Sequence, residues 1–239
     1  MVSPSPTARL GLPVRGMRYH LTLPALLAGH SLAVGASSCR REPLDALLVW
    51  GDRPSGRAAQ RLALSRCLPV WRCEDAFVRS LGLGPDCPPL GVVLDDLGIY
   101  YDVSSSSRLE RLIATDHTPK ELERAVQLQQ LWCQERVSKY NAAAEAPAPE
   151  RPFVLVVDQT AGDQSIAGGG ATAASFSAML QAALAEHPDC AVVVKIHPDV
   201  AAGRKRGHFS KQQLADPRVV VEASGGHPTA LLERAESVY

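Results

Sequence analysis

Several features that define common protein classes are missing from this sequence. It has no unbroken apolar run of about 18 residues, so no membrane-spanning helix is predicted. Its 25 basic and 25 acidic residues cancel, which disfavours nucleic acid as a partner and means that any anion site must be local. The six cysteines form no C-x-x-C pair and have no histidine cluster beside them. We therefore predict no metal site and a reducing, cytoplasmic environment.

The glycines also fail to form a nucleotide or hydrolase signature. The sequence contains no G-x-G-x-x-G, no P-loop and no G-x-S-x-G motif. A dehydrogenase, an ATPase and an α/β hydrolase are therefore poor interpretations.

Apolar runs alternate with helical patterns in the first part of the chain, which predicts an α/β fold with a parallel sheet. Strands are expected at 46–50, 68–73 and 91–94, and a helix at 56–66 with Ala58, Leu62 and Ala63 on one face. Thr118, Pro119 and Glu121 form a capping-box start for a helix that runs to about Tyr140. The residues of this helix expected to face inward are Leu122, Ala125, Leu128, Leu131 and Trp132.

A composition shift at residues 141–152 (NAAAEAPAPERP) predicts a linker. The alternation then restarts, with strands at 153–157, 191–196 and 219–221, helices at 172–187 and 228–235, and the opening of a fourth strand at 237–239. We expect residues 1–22 to be disordered, with Met17 as an alternative start, and 23–140 and 153–239 to be two domains. The second domain is expected to be truncated, because such a half sheet usually has more strands.

A dense polar loop follows the strand at 153–157. It contains two carboxylates five residues apart, Asp158 and Asp163, together with Gln159 and Ser165. The triplet 168–170 of glycines leads towards the next helix, whose N-terminus could face an anion. Ligands of open α/β sheets bind at the carboxyl ends of strands, so these groups are well placed for a site. A plain polar turn explains the same residues equally well.

Positive groups follow the next strand. Lys195, His197 and Pro198 come at its end, and the short basic loop with Arg204, Lys205 and His208 follows. Together these cations could hold a doubly anionic ligand. A proline-fixed turn and a solvated charge run are the alternatives.

Polar residues also follow two predicted strands of the first domain. Glu74 and Arg79 come after one strand, and Asp96, Tyr100 and Tyr101 after another. They are candidates for lining a cleft, and surface loops would have the same composition.

Several long strings, in order, resemble the KpsC/LipB family of capsule polysaccharide proteins. They are VWGDRPSG (49–56), EDAFVRSLGLG (74–84), PPLGVVLDDLGIYYD (88–102), SRLE (107–110), VDQTAGDQS (157–165) and VKIHPDVAAGRKRGH (194–208). The resemblance runs from about Leu23 to Tyr239. Within this range the chain is similar to the first of the two transferase modules that such proteins carry in tandem. Ala76 departs from the family, which usually has glycine there.

The resemblance implies a GT-B-like architecture, two Rossmann-like domains facing a cleft, the second incomplete here. It implies retaining transfer of Kdo from CMP-β-Kdo to a phosphatidylglycerol-linked β-Kdo acceptor in capsule biosynthesis and export, without a cofactor or metal. The chain would then contact the cytoplasmic face of the inner membrane peripherally, and other capsule biosynthesis proteins are further expected partners.

The family's Q-x-x-x-D-x-S motif falls on Gln159, Asp163 and Ser165, and its H-P motif on His197 and Pro198. Asp163 is then the expected catalytic carboxylate, and Lys195, Arg204, Lys205 and His208 are expected to bind the donor. The acceptor candidates are Glu74, Arg79, Asp96, Tyr100 and Tyr101. A non-catalytic remnant or partner-binding module is the alternative, and we expect weak or no activity from these 239 residues alone.

Overall fold

The computed structural model describes residues 7–13, 22–51, 54–82, 87–139 and 141–239. The chain divides into two units, 1–141 and 142–239. Both are α/β units with largely parallel sheets, as the sequence predicts.

The first unit contains a five-stranded sheet of order β2-β1-β3-β4-β5. Its strands are β1 Arg9–Leu12, β2 Ser31–Val34, β3 Ala46–Trp50, β4 Val70–Asp75 and β5 Val92–Asp95. Its helices are α1 Leu23–Leu26, α2 Ala36–Arg41, α3 Pro54–Ser65, α4 Arg108–Ile113 and α5 Pro119–Gln134.

Strand β1 corrects the prediction that the first 22 residues are disordered. It pairs in parallel with β2 on one side and β3 on the other, and Leu10 and Leu12 are buried in the core of the unit. Four residues are too few to show a hydrophobic period, and the nearby prolines by themselves indicate disorder. Met17 lies outside the described residues.

Strand β5 corrects the prediction of a purely parallel first sheet. It runs antiparallel to β4, with Cys73 opposite Leu94 and Asp75 opposite Val92. A parallel return needs a crossover, usually a helix, and the described parts of the connection (76–82 and 87–91) contain none.

Helix α3 covers the sheet through small residues. Ala59 and Ala63 are each 1% exposed, whereas Ala58, predicted on this face, is exposed. The prediction is therefore confirmed at Ala63 and at Leu62, which packs partly buried against the core, and is wrong at Ala58, whose place is taken by Ala59.

Helix α5 confirms its predicted start and corrects its predicted face and end. Thr118 and Glu121 form the capping box, but Leu122, Leu131 and Trp132 are at least 40% exposed, and Ala125 and Leu128 are exposed too. The helix ends at Gln134, because Arg136 takes a left-handed backbone (φ 53°) and Val137 N–H closes the turn on Trp132 O.

The second unit contains a parallel sheet of order β6-β7-β8, with β6 Phe153–Val157, β7 Ala191–Lys195 and β8 Val219–Glu222. Its helices are α6 Gln164–Gly168, α7 Ala173–Glu186, α8 Pro198–Ala201 and α9 Thr229–Arg234. Four of the five residues predicted to face inward on α7 are buried, namely Phe176, Leu180, Ala183 and Leu184, while Met179 packs partly buried against the core.

Both ends of this unit pack onto its sheet. Val238 forms a parallel bridge with Leu155, which agrees with the predicted extra strand. The predicted linker differs from a free connector, because Ala146 is 2% exposed and its N–H donates to His227 O. None of the helices in the described ranges combines the length and hydrophobicity needed to cross a bilayer.

Candidate functional site

The candidate site of the second unit lies where β6 and β7 end. The two strands are parallel and in register to their last residues, Val157 and Lys195, so the loops that follow leave the same edge of the sheet. Asp158 N–H donates to Lys195 O (3.0 Å), which holds the two loops together at their start.

Asp158 ties the loop after β6 to the basic loop. Its Oδ1 accepts from the backbone N–H of His208 (3.1 Å) and lies 3.3 Å from Nδ1 of the same residue. Both side chains are at least 95% buried, and the His208 ring stacks on Phe176 with a centroid distance of 3.8 Å. His208, a predicted donor-binding residue, is therefore held inside the unit by a carboxylate and an aromatic ring.

The other Asp158 oxygen, Oδ2, has no hydrogen-bond partner among the described residues. It packs against Gly207, where an added Cβ would come within 2.2 Å of it. The close approach of these two loops therefore depends on glycine at 207. A second link joins them, because Ala161 N–H donates to Arg206 O (2.8 Å).

Asp163 stands at the start of the short helix α6. Its Oδ1 accepts from the Ser165 backbone N–H (3.0 Å) and from the Ser165 hydroxyl (2.6 Å). Partial burial opposes ionisation, yet these hydrogen bonds and the charges of Lys205 and His197 hold the pKa of Asp163 below its usual value. Asp163 is therefore an ionised carboxylate at neutral pH.

His197 lies at the end of the neighbouring loop and caps α8. Its Nδ1 accepts from Asp199 N–H (3.0 Å), so the neutral ring carries its proton on Nε2. Burial lowers the pKa of His197, and the charge of Lys205 acts in the same direction. Pro198 fixes the first turn of α8 directly behind this ring.

The basic loop presents two exposed cations with different partners. Arg204 makes a fork-like contact with Asp199 through Nε (2.9 Å) and Nη2 (2.7 Å), and this contact lowers the pKa of Asp199. Lys205 is exposed, and its charge lowers the pKa values of Asp163 and His197. Asp163, His197 and Lys205 are thus close enough to perturb one another electrostatically.

Lys195, predicted to bind the donor with these groups, points elsewhere. Its Nζ donates to Gly226 O (2.9 Å), and Glu222 lies near enough to oppose the lowering of the Lys195 pKa by burial. Gln159 remains in the loop, where its Oε1 accepts from Thr160 N–H (2.8 Å). Gly169 and Gly170 end α6, with φ 72° at Gly170, before α7 begins.

In the first unit the structure brings three of the five predicted acceptor residues together. The Tyr101 hydroxyl donates to Glu74 Oε2 (3.3 Å). Both groups lie close to Gly51, which has φ 52°, and a Cβ at this position would lie 2.5 Å from the hydroxyl oxygen. Tyr100 packs on Tyr101 (5.3 Å) and on the half-exposed Phe77 (5.1 Å). The result is an aromatic cluster beside a carboxylate.

The other two predicted acceptor residues have structural partners. Arg79 is 6% exposed, pairs with Asp75 (2.9 Å) and donates to Cys87 O (2.7 Å). Asp96 accepts a bidentate contact from Arg108, which lowers the pKa of Asp96.

Sequence reasoning placed Asp158 in the polar loop after β6 but gave it no role, and it missed Phe176 as a site residue. Asp158 directly follows a fully apolar strand, a position where a carboxylate is placed at the carboxyl edge of the sheet, and that was the available signal. Phe176 was assigned to the core of α7, and no local pattern shows that His208 stacks on it.

The fold defines a two-unit α/β protein, and acidic and basic residues meet at one edge of the second sheet. The family described as "Capsule polysaccharide biosynthesis protein" matches residues 45–147 and 125–239, and the chain belongs to this family. The capsule polysaccharide modification protein LipA of Neisseria meningitidis serogroup B is 40% identical over 239 residues. The lipopolysaccharide-processing protein LpsZ of Rhizobium meliloti is 32% identical over 216 residues.

The solved structure of Thermosulfurimonas dismutans KpsC, beta Kdo 2,4 transferase, matches with a TM-score of 0.85 and 33% identity, covering 97% of this chain and 73% of that one. This likeness confirms the predicted GT-B-like α/β fold class and the predicted family. The LipA match covers 95% of this chain and 33% of LipA, and the LpsZ match covers 86% of this chain and 48% of LpsZ. The chain therefore spans a third to a half of the length of these relatives.

Proposed function

We propose that this chain is a glycosyltransferase module of capsule polysaccharide biosynthesis that transfers Kdo from CMP-β-Kdo with retention of configuration. The observation that carries the proposal is the position of Asp163 in the loop after β6, at the same edge of the sheet where His197 follows β7, with its Oδ1 held by Ser165. The likeness to a solved Kdo transferase supports the sugar class.

The donor carries a sugar carboxylate and a phosphate, so it needs positive or hydrogen-bonding groups beside the reacting carbon. Lys205 supplies an exposed charge, and His197 Nε2–H can donate to an anionic oxygen. Arg204 is a further donor-binding group in this proposal, because Asp199 already orients its guanidinium group. Lys195 and His208 are assigned to supporting the loops, since their polar atoms contact Gly226 and Asp158.

Retention follows either from two displacements on the same carbon or from a shielded same-face path, and a carboxylate beside the anomeric carbon favours the first. Asp163 would attack the anomeric carbon as CMP leaves, and an acceptor hydroxyl would then displace the Asp163 carboxylate and pass its proton to water. Among the described residues, hydrogen bonds reach Oδ1 of Asp163, which leaves Oδ2 as the attacking oxygen. Ser165 would hold the carboxylate in one orientation.

The acceptor in this proposal is a lipid-linked β-Kdo chain at the cytoplasmic face of the inner membrane. Glu74 and Tyr101 can bind sugar hydroxyls, and Tyr100 with Phe77 offers aromatic faces for sugar rings. Arg79 and Asp96 would support the surrounding loops through their own ion pairs.

The test is Asp163→Asn, assayed for Kdo transfer from CMP-β-Kdo to a soluble β-Kdo acceptor by mass spectrometry of the product. Enough protein and time are used to detect the weak transfer expected of these 239 residues alone. Asparagine keeps an oxygen that can accept from Ser165, so the fold and CMP binding should persist while transfer is lost. Asp116→Asn, at an exposed loop position of the first unit, is the matched control and should keep full transfer.

A non-catalytic module of the same family is the competing function. Calorimetric titration with CMP separates the two, because a donor-binding module releases heat and gains thermal stability. The absence of both would favour the non-catalytic function.

A further inference from the structure

A second cluster of ligand-type side chains lies at the other end of the second sheet from the candidate site. His187 ends α7, Cys190 directly precedes β7, and Glu236 follows α9 with its N–H donated to Phe153 O, the first residue of β6. Three separate segments of the unit therefore meet at the amino ends of β6 and β7.

The side-chain donors of these residues converge. A ring nitrogen of His187, Sγ of Cys190 and a carboxylate oxygen of Glu236 all lie within 4.8 Å of one another. Donor atoms that share one tetrahedral zinc ion at about 2.0–2.3 Å lie roughly 3.3–3.8 Å apart. Cys190 Sγ lies 3.4 Å from Glu236 Oε2, within this range, and rotation of the partly exposed His187 ring and the exposed Glu236 side chain would bring the other pairs into it.

The surroundings hold the donors in place and favour a cation. The Tyr239 hydroxyl lies 3.2 Å from His187 Nε2 and donates to Glu186 Oε2 (2.5 Å), which fixes its position beside the ring. Asp189 adds another negative charge, and the carboxyl end of α7 points its dipole the same way.

Arg218 is a nearby positive charge that would disfavour a bound cation, but its guanidinium group already has other partners. Arg218 Nη1 donates to Leu184 O (2.9 Å) and to His187 O (3.4 Å), and its Nε lies 3.8 Å from Asp216. The guanidinium thus fixes the turn between His187 and Cys190 and shares its charge with a carboxylate.

We propose that His187, Cys190 and Glu236 bind one Zn²⁺ ion, with a water molecule as the fourth ligand. This departs from the expectation of no metal site, which rested on the spacing of the cysteines in the sequence. Thiolate, imidazole and carboxylate together are a donor set that suits zinc. The ion would tie the α7–β7 turn to the segment that leads from α9 to the strand at 237–239. The proposal is independent of sugar transfer, because the cluster lies at the opposite end of the strands from Asp163.

The experiment uses the reduced 239-residue chain freed of metal with a chelator. Cobalt(II) is added as a spectroscopic probe, and zinc affinity is measured by calorimetry. We expect a thiolate-to-cobalt charge-transfer band and zinc binding, with the band lost in Cys190→Ser. Cys67→Ser and Cys133→Ser, which remove the two exposed thiols, should keep both.

Glu236→Gln is the second variant, since it changes an exposed side chain and does not threaten folding. It should weaken zinc binding at least about ten-fold. The proposal is overturned if the wild-type chain shows no thiolate band, if the band survives in Cys190→Ser, or if Glu236→Gln binds zinc as tightly as the wild type.

Discussion

Asp158 and His208 stand 50 positions apart in the sequence, yet one carboxylate oxygen of Asp158 accepts from the backbone of His208 and contacts its ring. This contact brings the basic loop back over the end of β6. It is the step by which the fold places Lys205 within electrostatic reach of Asp163.

Replacing Asp158 with alanine should therefore release the basic loop. The variant leaves the buried His208 ring and N–H without their acceptor, which costs on the order of 1–3 kcal/mol in the free energy of unfolding. CMP affinity should fall as well, because Lys205 loses its position. Urea unfolding and calorimetry measure the two effects, and a variant that keeps both values would remove Asp158 from this role.

Gly207→Ala tests the same approach of the two loops from the other side. The new Cβ would lie 2.2 Å from Asp158 Oδ2 and 3.0 Å from Val200 Cγ1. We expect a loss of about 1–3 kcal/mol in stability from this overpacking. Gly29→Ala is the control, because nothing lies within 4 Å of its Cβ position, and it should leave the midpoint of unfolding almost unchanged.

The depressed pKa of His197 predicts a pH effect on stability. As the pH falls through the ordinary histidine pKa of about 6.5, the unfolded chain binds a proton that folded His197 still resists. The free energy of unfolding therefore decreases as the pH falls from about 7 through 6.5 and below, until folded His197 is also protonated. His197→Gln removes this contribution, so its stability should decrease less over the same range in chemical denaturation. An identical pH profile for both proteins would contradict the shift.

The exposed face of α5 predicts unequal costs for two leucine substitutions. Leu131 is 53% exposed, so Leu131→Gln should change stability by no more than about 0.5 kcal/mol. Leu180 on α7 is fully buried, so Leu180→Ala should cost about 2–5 kcal/mol. Thermal unfolding of the two variants makes the comparison, and a large cost at Leu131 would mean that α5 is packed in solution.

The sequence predicts those elements whose local signals agree with their burial. The continuous apolar runs of β3, β6 and β7 and the helical period of α7 all appear in the structure. The capping box of α5 is local chemistry and is present, whereas its buried face depends on tertiary packing that the period alone does not reveal. Strand β1 is too short for any period, and the direction of β5 depends on the preceding connection.

For the candidate site, too, the sequence predicts some features and not others. The position of Asp163 and His197 at one edge follows from the order of strand and loop in the sequence. The partners of Lys195, His208 and Arg79 do not, because each is chosen by contacts with residues distant in the chain or buried in the fold. Charge alone therefore overestimates the number of cations that are available to a ligand.

The most direct measurement of the proposed chemistry is mass spectrometry of the chain after brief incubation with CMP-β-Kdo and no acceptor. We expect a Kdo adduct on the peptide that contains Asp163, and no adduct in Asp163→Asn. A Kdo adduct on a different residue, or Kdo transfer by Asp163→Asn at the wild-type rate, would contradict the assignment of Asp163 as the nucleophile.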